Sequence, residues 1–313
     1  MYAVTPPHAQ GFLDVGDGHE IWWEVRGNPD GKPAVVLHGG PGSGCTPGSA
    51  RPFDPERYRV VLLDQRGCGR SRPLASRDDA DLSTNTTAHL VADVERLRQH
   101  LGIGAWLVLG TSWGATLGLA YAVTHPERVT EVVLGAVTST TAREVEWITR
   151  DMGRIFPEEW DRFVAEVPVA ERDGSLAAAY TRLLASPDRA VRERAAAAWC
   201  RWEDVHVSLV HGFEPWDRYE DPGFRLLFAR LVTHYWANAA FLPDGALLAG
   251  VRGLGAVPVV LVHGRQDVSG PLDVAWRLHR AWPGSELVVL ECAGHGGPGF
   301  PEALVAATDG FAG

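Results

Sequence analysis

The sequence has 313 residues, with 29 basic and 39 acidic side chains and a formal net charge of -10 at pH 7. This acidic balance argues against nucleic acid or an anionic membrane as a partner. No apolar run reaches the roughly 18 residues that a membrane span needs. The first ten residues lack the basic start and apolar stretch of a signal peptide, so we expect a cytoplasmic protein.

The cysteine and histidine patterns give no indication of a metal site. The four cysteines are scattered without paired metal-ligand spacing, which predicts reduced thiols in a reducing compartment. The 12 histidines contain no His-Glu-x-x-His motif. We therefore expect no metal and no cofactor.

The first half of the chain alternates short apolar runs with helical spacing. An Asp-Gly pair at 17–18, inside the extended stretch 12–25, predicts an antiparallel hairpin that starts a sheet. Apolar residues at helical spacing predict a helix after Thr87. Further strands are predicted at 34–37, 59–63, 106–109 and 131–137. Strands that alternate with helices favour parallel pairing through right-handed crossovers.

After about Thr138 the pattern becomes helical and stays so to about Asn238, with helical spacing at 177–184, 190–202 and 224–236. Strands are predicted again at 257–262 and 286–290, before a last helix at 301–311. The predicted fold class is therefore α/β: a mostly parallel sheet with an inserted all-helical cap. The core would comprise residues 1–138 and 239–313, and the cap residues 139–238.

The stretch Gly110-Thr111-Ser112-Trp113-Gly114 lies between a predicted strand and a helix rich in small residues. This is the context of a nucleophile elbow, in which a strained turn exposes the serine hydroxyl. A Cβ at position 110 or 114 would press on the neighbouring strand or helix. The pentapeptide alone is common and could be a chance glycine-flanked serine, but its strand–turn–helix context favours catalysis by Ser112.

Two further residues complete a catalytic triad in the chain order Ser, Asp, His that is typical of such elbows. Asp267 and His295 each follow one of the last two predicted strands. Each alone could be an ordinary loop residue, but together they have the required order and strand context. His295 would take the proton of Ser112, and Asp267 would hold the imidazole and stabilise its cation.

Catalysis by a serine also needs donors for the oxyanion of the tetrahedral intermediate. The N–H of Trp113, directly after the nucleophile, is one candidate. The glycine-rich loop at 38–44 supplies the other, and we choose Gly40. A phosphate-binding role for this loop is disfavoured, because it has neither the Lys-Ser/Thr ending of a P-loop nor the spacing of a dinucleotide fingerprint.

At these motifs the sequence resembles the proline iminopeptidases, also called prolyl aminopeptidases. The resemblance runs from about Gly11 to the C-terminus and includes the helical insertion, for example at 155–160. It is carried by His38-Gly39-Gly40-Pro41-Gly42, by 64–71 (DQRGCGRS), by the elbow, by Trp199-Cys200-Arg201-Trp202-Glu203 and by 263–267 (HGRQD). The resemblance implies an α/β-hydrolase core with a helical cap that removes N-terminal proline from peptides without a cofactor.

The resemblance also implies a substrate site. Glu203 matches an acidic residue that holds the free amino group of the substrate in this family, although a solvated charge at a helix end is the simpler alternative. The family usually has a second acidic residue where Val232 stands and an aromatic residue near Thr138. We add Gly39, from the glycine-rich loop, and Trp236, as part of an aromatic pocket.

Three functions remain open at this point. The first is a serine aminopeptidase of proline iminopeptidase type that acts on a small peptide or amide. The second is a relative that cleaves a different amide or ester, because Val232 and Thr138 depart from the family pattern. The third is a non-catalytic receptor, which the intact triad disfavours. We expect no nucleic-acid or membrane partner, and a homo-oligomer is allowed.

Overall fold

An eight-stranded sheet lies at the centre of the fold. The computed structural model describes residues 1–207, 209, 216–255 and 257–313. Within these ranges the strands are β1 (Ala9–Gly16), β2 (His19–Gly27), β3 (Lys32–Leu37), β4 (Tyr58–Leu63), β5 (Trp106–Thr111), β6 (Val129–Gly135), β7 (Val259–Gly264) and β8 (Glu286–Leu290). Their order is β1-β2-β4-β3-β5-β6-β7-β8. Pairings from β4 through β8 are parallel, whereas β2 runs antiparallel to β1 and β4.

The α-helices in the described ranges are α1 (Thr87–His100), α2 (Trp113–Thr124), α3 (Ala142–Thr149), α4 (Pro157–Ala165), α5 (Leu176–Leu184), α6 (Arg189–Val207), α7 (Pro222–Ala237), α8 (Ala246–Gly250), α9 (Asp273–Ala281) and α10 (Phe300–Phe311). Helices α1, α2 and α9 share one buried cluster with the strands, and α10 shares another. The sheet is therefore covered on both faces.

Alternation along the strands explains these two layers. In β3, Val35 and Leu37 belong to the cluster of α1, α2 and α9, whereas Ala34 and Val36 belong to that of α10. Successive side chains of a strand point to opposite faces, so the uninterrupted apolar runs are those of a sheet buried on both sides. The predicted fold class, α/β with a mostly parallel sheet, is confirmed.

Most predicted elements are found close to their expected positions. Strand β8 has the predicted bounds, and α10 begins one residue before the predicted start. Strand β6 ends at Gly135 and not at 137, because Ala136 adopts a left-handed conformation with φ 46° and leaves the strand. The sequence patterns did not single out α9, which joins β7 to β8.

All elements that the structure describes between β6 and β7 are helical. Helices α3 to α7 share a buried cluster of their own, separate from the two clusters of the sheet. On this basis we propose the division expected from the sequence, and we call residues 139–238 the cap region.

Phe163 of α4 organises the aromatic packing of the cap region. Its ring stacks on Tyr180 at a centroid distance of 4.6 Å and on Trp202 at 5.3 Å, and it meets Trp199 edge to face at 5.5 Å. All four side chains are almost fully buried. This cluster joins α4, α5 and α6, so the cap region has a hydrophobic core of its own.

We expect Phe163→Ala to destabilise the protein by about 3–5 kcal/mol, because it removes a buried ring and leaves a cavity among three aromatic neighbours. Chemical denaturation of the full chain measures this loss. Val169→Ala, at a cap residue that is 76% exposed, is the control and should change the free energy of unfolding by less than about 0.5 kcal/mol. Equal stability of the two variants would contradict the packing described above.

Candidate active site

Ser112 stands in the sharp turn between β5 and α2. Its backbone has φ 55° and ψ -126°, a strained conformation for a residue with a side chain. The turn is tight because glycines flank it: a Cβ on Gly110 would lie 2.1 Å from the Gly114 carbonyl oxygen, and one on Gly114 would lie 2.0 Å from the Leu37 oxygen. The strained turn holds the Ser112 hydroxyl beyond the carboxyl end of β5.

The imidazole of His295 lies between Ser112 and Asp267. Its Nε2 atom is 2.9 Å from Ser112 Oγ, and its Nδ1 atom is 2.8 Å from Asp267 Oδ2. Since a carboxylate only accepts, Nδ1–H donates to Asp267, and Nε2 is then free to accept the hydroxyl proton of Ser112. The structure thus brings together the three residues that the sequence suggested as a triad, with the geometry of a nucleophile, a base and an orienting acid.

Backbone contacts join the loops that carry Asp267 and His295. The amide of Arg265 donates to the Leu290 oxygen and that of Gln266 to the Ala293 oxygen, both at 2.9 Å. A Cβ on Gly264 would lie 2.1 Å from the Gly294 oxygen. Only a glycine lets the ends of β7 and β8 approach this closely, and the approach brings the acid and the base within hydrogen-bond distance.

Asp267 is itself held by hydrogen bonds and a neighbouring ring. The amide of Gly270 donates to Oδ1 at 2.9 Å, and the buried ring of His263 lies 3.8 Å from Oδ2. His263 accepts from the Val137 amide and donates to the Gly270 oxygen, so its neutral tautomer is defined. Burial would raise the pKa of Asp267, but His295, His263 and the Gly270 amide outweigh it and hold that pKa below its usual value.

The pKa of His295 is raised. Burial lowers it, but the charge of Asp267 and the hydrogen bond to it have the larger combined effect, and Glu203 adds to them. The imidazolium that forms when Ser112 is deprotonated is therefore stabilised by Asp267.

The glycine-rich loop after β3 approaches the nucleophile closely. A Cβ on Gly39 would lie 3.3 Å from Ser112 Cβ. Gly40 has φ 109°, and a Cβ there would lie 2.6 Å from the Gly42 amide. Among the described residues, the amides of Gly40 and Trp113 donate to no backbone oxygen of a turn, loop or cap. Trp113 is also the first residue of α2, where no intrahelical acceptor exists. Gly40 and Trp113 therefore stay the predicted oxyanion donors, because neither amide is occupied by such an acceptor.

A cavity of about 970 Å³ opens above this catalytic group. Its described lining includes Ser112 and His295 and six other residues that the sequence suggested, namely Gly39, Gly40, Trp113, Thr138, Glu203 and Trp236. Asp267 is buried behind His295. The volume suits a substrate of a few residues or a similar small molecule.

Glu203, near the C-terminal end of α6, is held from two sides. Oε1 accepts from the Trp199 indole at 3.0 Å, and Oε2 lies 3.2 Å from His206 Nε2. Ser269 Oγ donates its only proton to the His206 carbonyl oxygen at 2.8 Å, so at 2.7 Å it must accept from His206 Nδ1. The His206 ring is thus oriented with Nε2 toward the Glu203 carboxylate.

Asp204 is a second carboxyl group on the cavity wall that the sequence analysis did not single out. It accepts from the Trp216 amide at 3.2 Å, and among the described residues no cationic side chain forms an ion pair with it. Burial, and then repulsion by Glu203, raise the pKa of Asp204 to about 6. A cation bound in the cavity would stabilise its ionised form.

Thr138, on the cavity wall, uses its hydroxyl in a hydrogen bond to a neighbouring carboxylate. Its hydroxyl donates to Glu144 Oε1 at 2.8 Å. Glu144 also accepts from the amides and hydroxyls of Ser139 and Thr141. Burial would raise the pKa of Glu144, but these hydrogen bonds lower it. Thr138 and Glu144 therefore serve mainly to fix the loop between β6 and α3.

Val232 lies elsewhere than the sequence suggested. It is fully buried in the hydrophobic cluster of the cap region and is not among the described residues that line the cavity. Of the five residues expected to bind substrate, the structure brings Gly39, Thr138, Glu203 and Trp236 to the cavity and leaves Val232 outside its wall. Val232 is fully buried, although Phe228 and Trp236, one turn away on either side of it on α7, do line the cavity.

Cys45 and Cys68 lie on the loops that follow β3 and β4. Burial raises the pKa of the Cys45 thiol to about 12 and raises that of Cys68 as well, so neither is poised as a thiolate nucleophile. In the part of the chain that the structure describes, no cluster of three His, Cys, Asp or Glu side chains could hold a metal ion.

Comparison with known proteins agrees with this geometry. Residues 32–298 match the family model of the alpha/beta hydrolase fold. A "Probable proline iminopeptidase" of Streptomyces coelicolor is 55% identical, over 100% of this chain and 98% of that protein. The proline iminopeptidase of Xylella fastidiosa is 45% identical over 99% of both chains. This chain belongs to the proline iminopeptidase family of α/β hydrolases.

Solved structures show the same fold at lower identity. A proline iminopeptidase of Mycobacterium smegmatis superimposes with a TM-score of 0.61 at 22% identity and covers 97% of both chains. An esterase from Rhodococcus gives a TM-score of 0.59 at 21% identity, over 97% of this chain and 98% of that one. The fold of the family thus also occurs in proteins described as esterases.

The raised pKa of His295 predicts a pH profile. The imidazole must be neutral to act as a base, so kcat/KM should fall as the pH drops through a value above 6.5. Asp267→Asn removes the charge that raises this pKa. It should move the acidic limb to lower pH and reduce kcat by about 10⁴-fold.

The profile is best measured with a neutral ester as substrate. The Asp204 carboxyl, with its pKa of about 6, then affects binding as little as possible. A rate that is flat between pH 5 and 8 would contradict the role of His295 as a base.

Proposed function

We propose that this protein is a serine aminopeptidase of proline iminopeptidase type, which releases an N-terminal proline from small peptides or amides through an acyl-enzyme. The observation that carries the proposal is the hydrogen-bonded series Ser112, His295 and Asp267 at the floor of a cavity whose wall contains Glu203. The names of the relatives at 43–55% identity support it.

The geometry accounts for each proton transfer. Ser112 Oγ attacks the carbonyl carbon of the bond to be cleaved while His295 Nε2 takes its proton. The amides of Trp113 and Gly40 stabilise the oxyanion. His295 then protonates the leaving amine, and a water molecule that His295 activates in the same way releases the amino acid from Ser112. Asp267 holds the imidazole in one orientation throughout.

We propose that the free amino group of the substrate binds at Glu203 and Asp204. A secondary ammonium in a partly buried site needs a carboxylate partner, and such a charge-assisted hydrogen bond contributes roughly 1.5–3 kcal/mol. Glu203 already has two polar neighbours, the Trp199 indole and the His206 ring. Asp204, which has no cationic partner among the described residues, supplies a second carboxyl group beside it.

A second function is favoured by specific observations: cleavage of a different amide or ester by the same triad. Thr138 uses its hydroxyl on Glu144, and Val232 lies in the core of the cap region. Neither contributes the aromatic wall or the second carboxylate that the family pattern suggested. A looser preference for proline would follow unless Asp204 and the aromatic rings of the cavity wall, such as Trp236, supply that charge and that surface.

The four free thiols support a reducing compartment and thus the predicted cytoplasmic location. No described helix combines the length and the hydropathy that crossing a membrane requires. We propose a small peptide or amide as the molecule bound, and the homo-oligomer stays a prediction that gel filtration tests.

Release of proline from proline anilide is the direct test. We expect the chain to hydrolyse it, and Ser112→Ala to reduce kcat by about 10⁶-fold because the acyl-enzyme cannot form. A panel of other amino-acid anilides, N-blocked proline anilide and simple esters should be assayed alongside. No release from any prolyl substrate with a free amino group would reject the aminopeptidase, and a faster ester would support the second function.

Substitution of the two carboxylates tests how the amine is recognised. Glu203→Gln and Asp204→Asn should each lower kcat/KM for proline anilide by roughly 10- to 100-fold, the equivalent of one charge-assisted hydrogen bond. Cyclopentanecarbonyl anilide has the same ring shape without the amine, and its hydrolysis should change little.

Glu158→Gln and Asp161→Asn, at exposed positions of the same cap region, are matched controls. If both substrates lost activity equally in the Glu203 and Asp204 variants, the amine would not be bound by these carboxylates.

A further inference from the structure

The side chain of Gln65 joins the two segments that supply the proposed oxyanion donors. Its Oε1 atom accepts from the Trp113 indole at 2.9 Å, and its Nε2 atom donates to the His38 carbonyl oxygen at 2.9 Å. Gln65, His38 and Trp113 are at most 5% exposed. One planar amide therefore connects the start of α2 with the loop after β3.

The orientation of this amide follows from its partners. The indole N–H can only donate, so it must face the oxygen of the Gln65 side chain. The His38 carbonyl can only accept, so it must face the nitrogen. Since both partners are buried, an alternative orientation would leave two polar groups unpaired, which is unfavourable.

The main chain of Gln65 fixes the same loop at a second point. Its N–H donates to His38 Nε2 at 3.1 Å, so the imidazole must carry its proton on Nδ1, which donates to the Gly39 oxygen at 2.9 Å. Burial lowers the pKa of His38 and keeps the ring neutral. The peptide groups on both sides of Gly39 are thus tied to Gln65.

We propose that Gln65 is a positioning residue that sets the separation of the Gly40 and Trp113 amides. This inference rests on the proposed acyl transfer, because only a tetrahedral intermediate needs both donors at once. In this proposal Gln65 contacts neither the substrate nor the triad. It acts through the two segments that carry the Gly40 and Trp113 amides.

The chemistry of the site requires a glutamine at this position. A glutamate could accept from the indole but could not donate to the His38 oxygen, and it would bury a charge. A leucine of similar size offers neither hydrogen bond. An asparagine has the same amide but is one methylene shorter, so it cannot reach both partners without a shift of the backbone.

The test compares Gln65→Leu and Gln65→Glu with the wild-type chain in hydrolysis of its best substrate. We expect kcat to fall about 10²-fold, in the range measured when one oxyanion donor is lost, and KM to change less than about threefold. Pyrrolidine-2-boronic acid, which forms a tetrahedral adduct with an active serine, should lose affinity in parallel with kcat. The affinity for free proline should stay the same.

Trp113→Phe removes the indole donor and keeps the main-chain amide, so it provides a second variant should the Gln65 variants not fold. Like the Gln65 variants, it should bind the boronate more weakly and bind free proline with unchanged affinity. Gln99→Leu, at an exposed glutamine of α1, is the matched control.

Wild-type kcat and boronate affinity in folded Gln65 or Trp113 variants would overturn the inference. An equal loss of boronate and proline affinity would also overturn it, because that pattern indicates a general structural role. A wild-type chain that cleaves none of the substrates would instead count against the proposed function, so the two failures are distinguishable.

Discussion

The catalytic group depends on contacts in which main chain meets main chain with no side chain between them. Gly114 brings the start of α2 against the end of β3, and Gly110 lets the elbow fold back on itself. Gly264 does the same for the ends of β7 and β8. At each of the three positions a Cβ would lie about 2 Å from a carbonyl oxygen, so a methyl group would separate segments that must nearly touch. The triad distances follow from this packing.

The sequence could predict the fold and the triad because both depend on local patterns. Uninterrupted apolar runs indicate strands that are buried on both faces, and parallel strands end at one edge of a sheet. Ser112, Asp267 and His295 each follow such a run, so their convergence follows from topology alone. The exact ends of strands were less predictable, as Ala136 shows, because no residue type near it signals the left-handed conformation that ends β6.

The substrate site was harder to predict because its contacts join residues far apart in the sequence. No local pattern relates His206 to Ser269, and yet that pair orients the imidazole beside Glu203. Asp204 could have been noticed as the residue after Glu203, but its cavity position depends on how α6 packs. Val232 shows the reverse case, since helical spacing cannot say which residues of α7 face the cavity and which face the cap core. Gln65 lay inside a recognised motif, but its two partners come from separate segments.

The cap region is fastened to the loop of the catalytic acid itself. Besides the bonds between His206 and Ser269, the Trp147 indole donates to the Val268 oxygen at 2.7 Å, one residue after Asp267. These bonds hold the cap region at residues 268 and 269, directly after the catalytic acid. The roof of the cavity and the loop that orients the imidazole therefore share one attachment point, so a substitution at Trp147 or Ser269 would disturb both substrate binding and the position of Asp267.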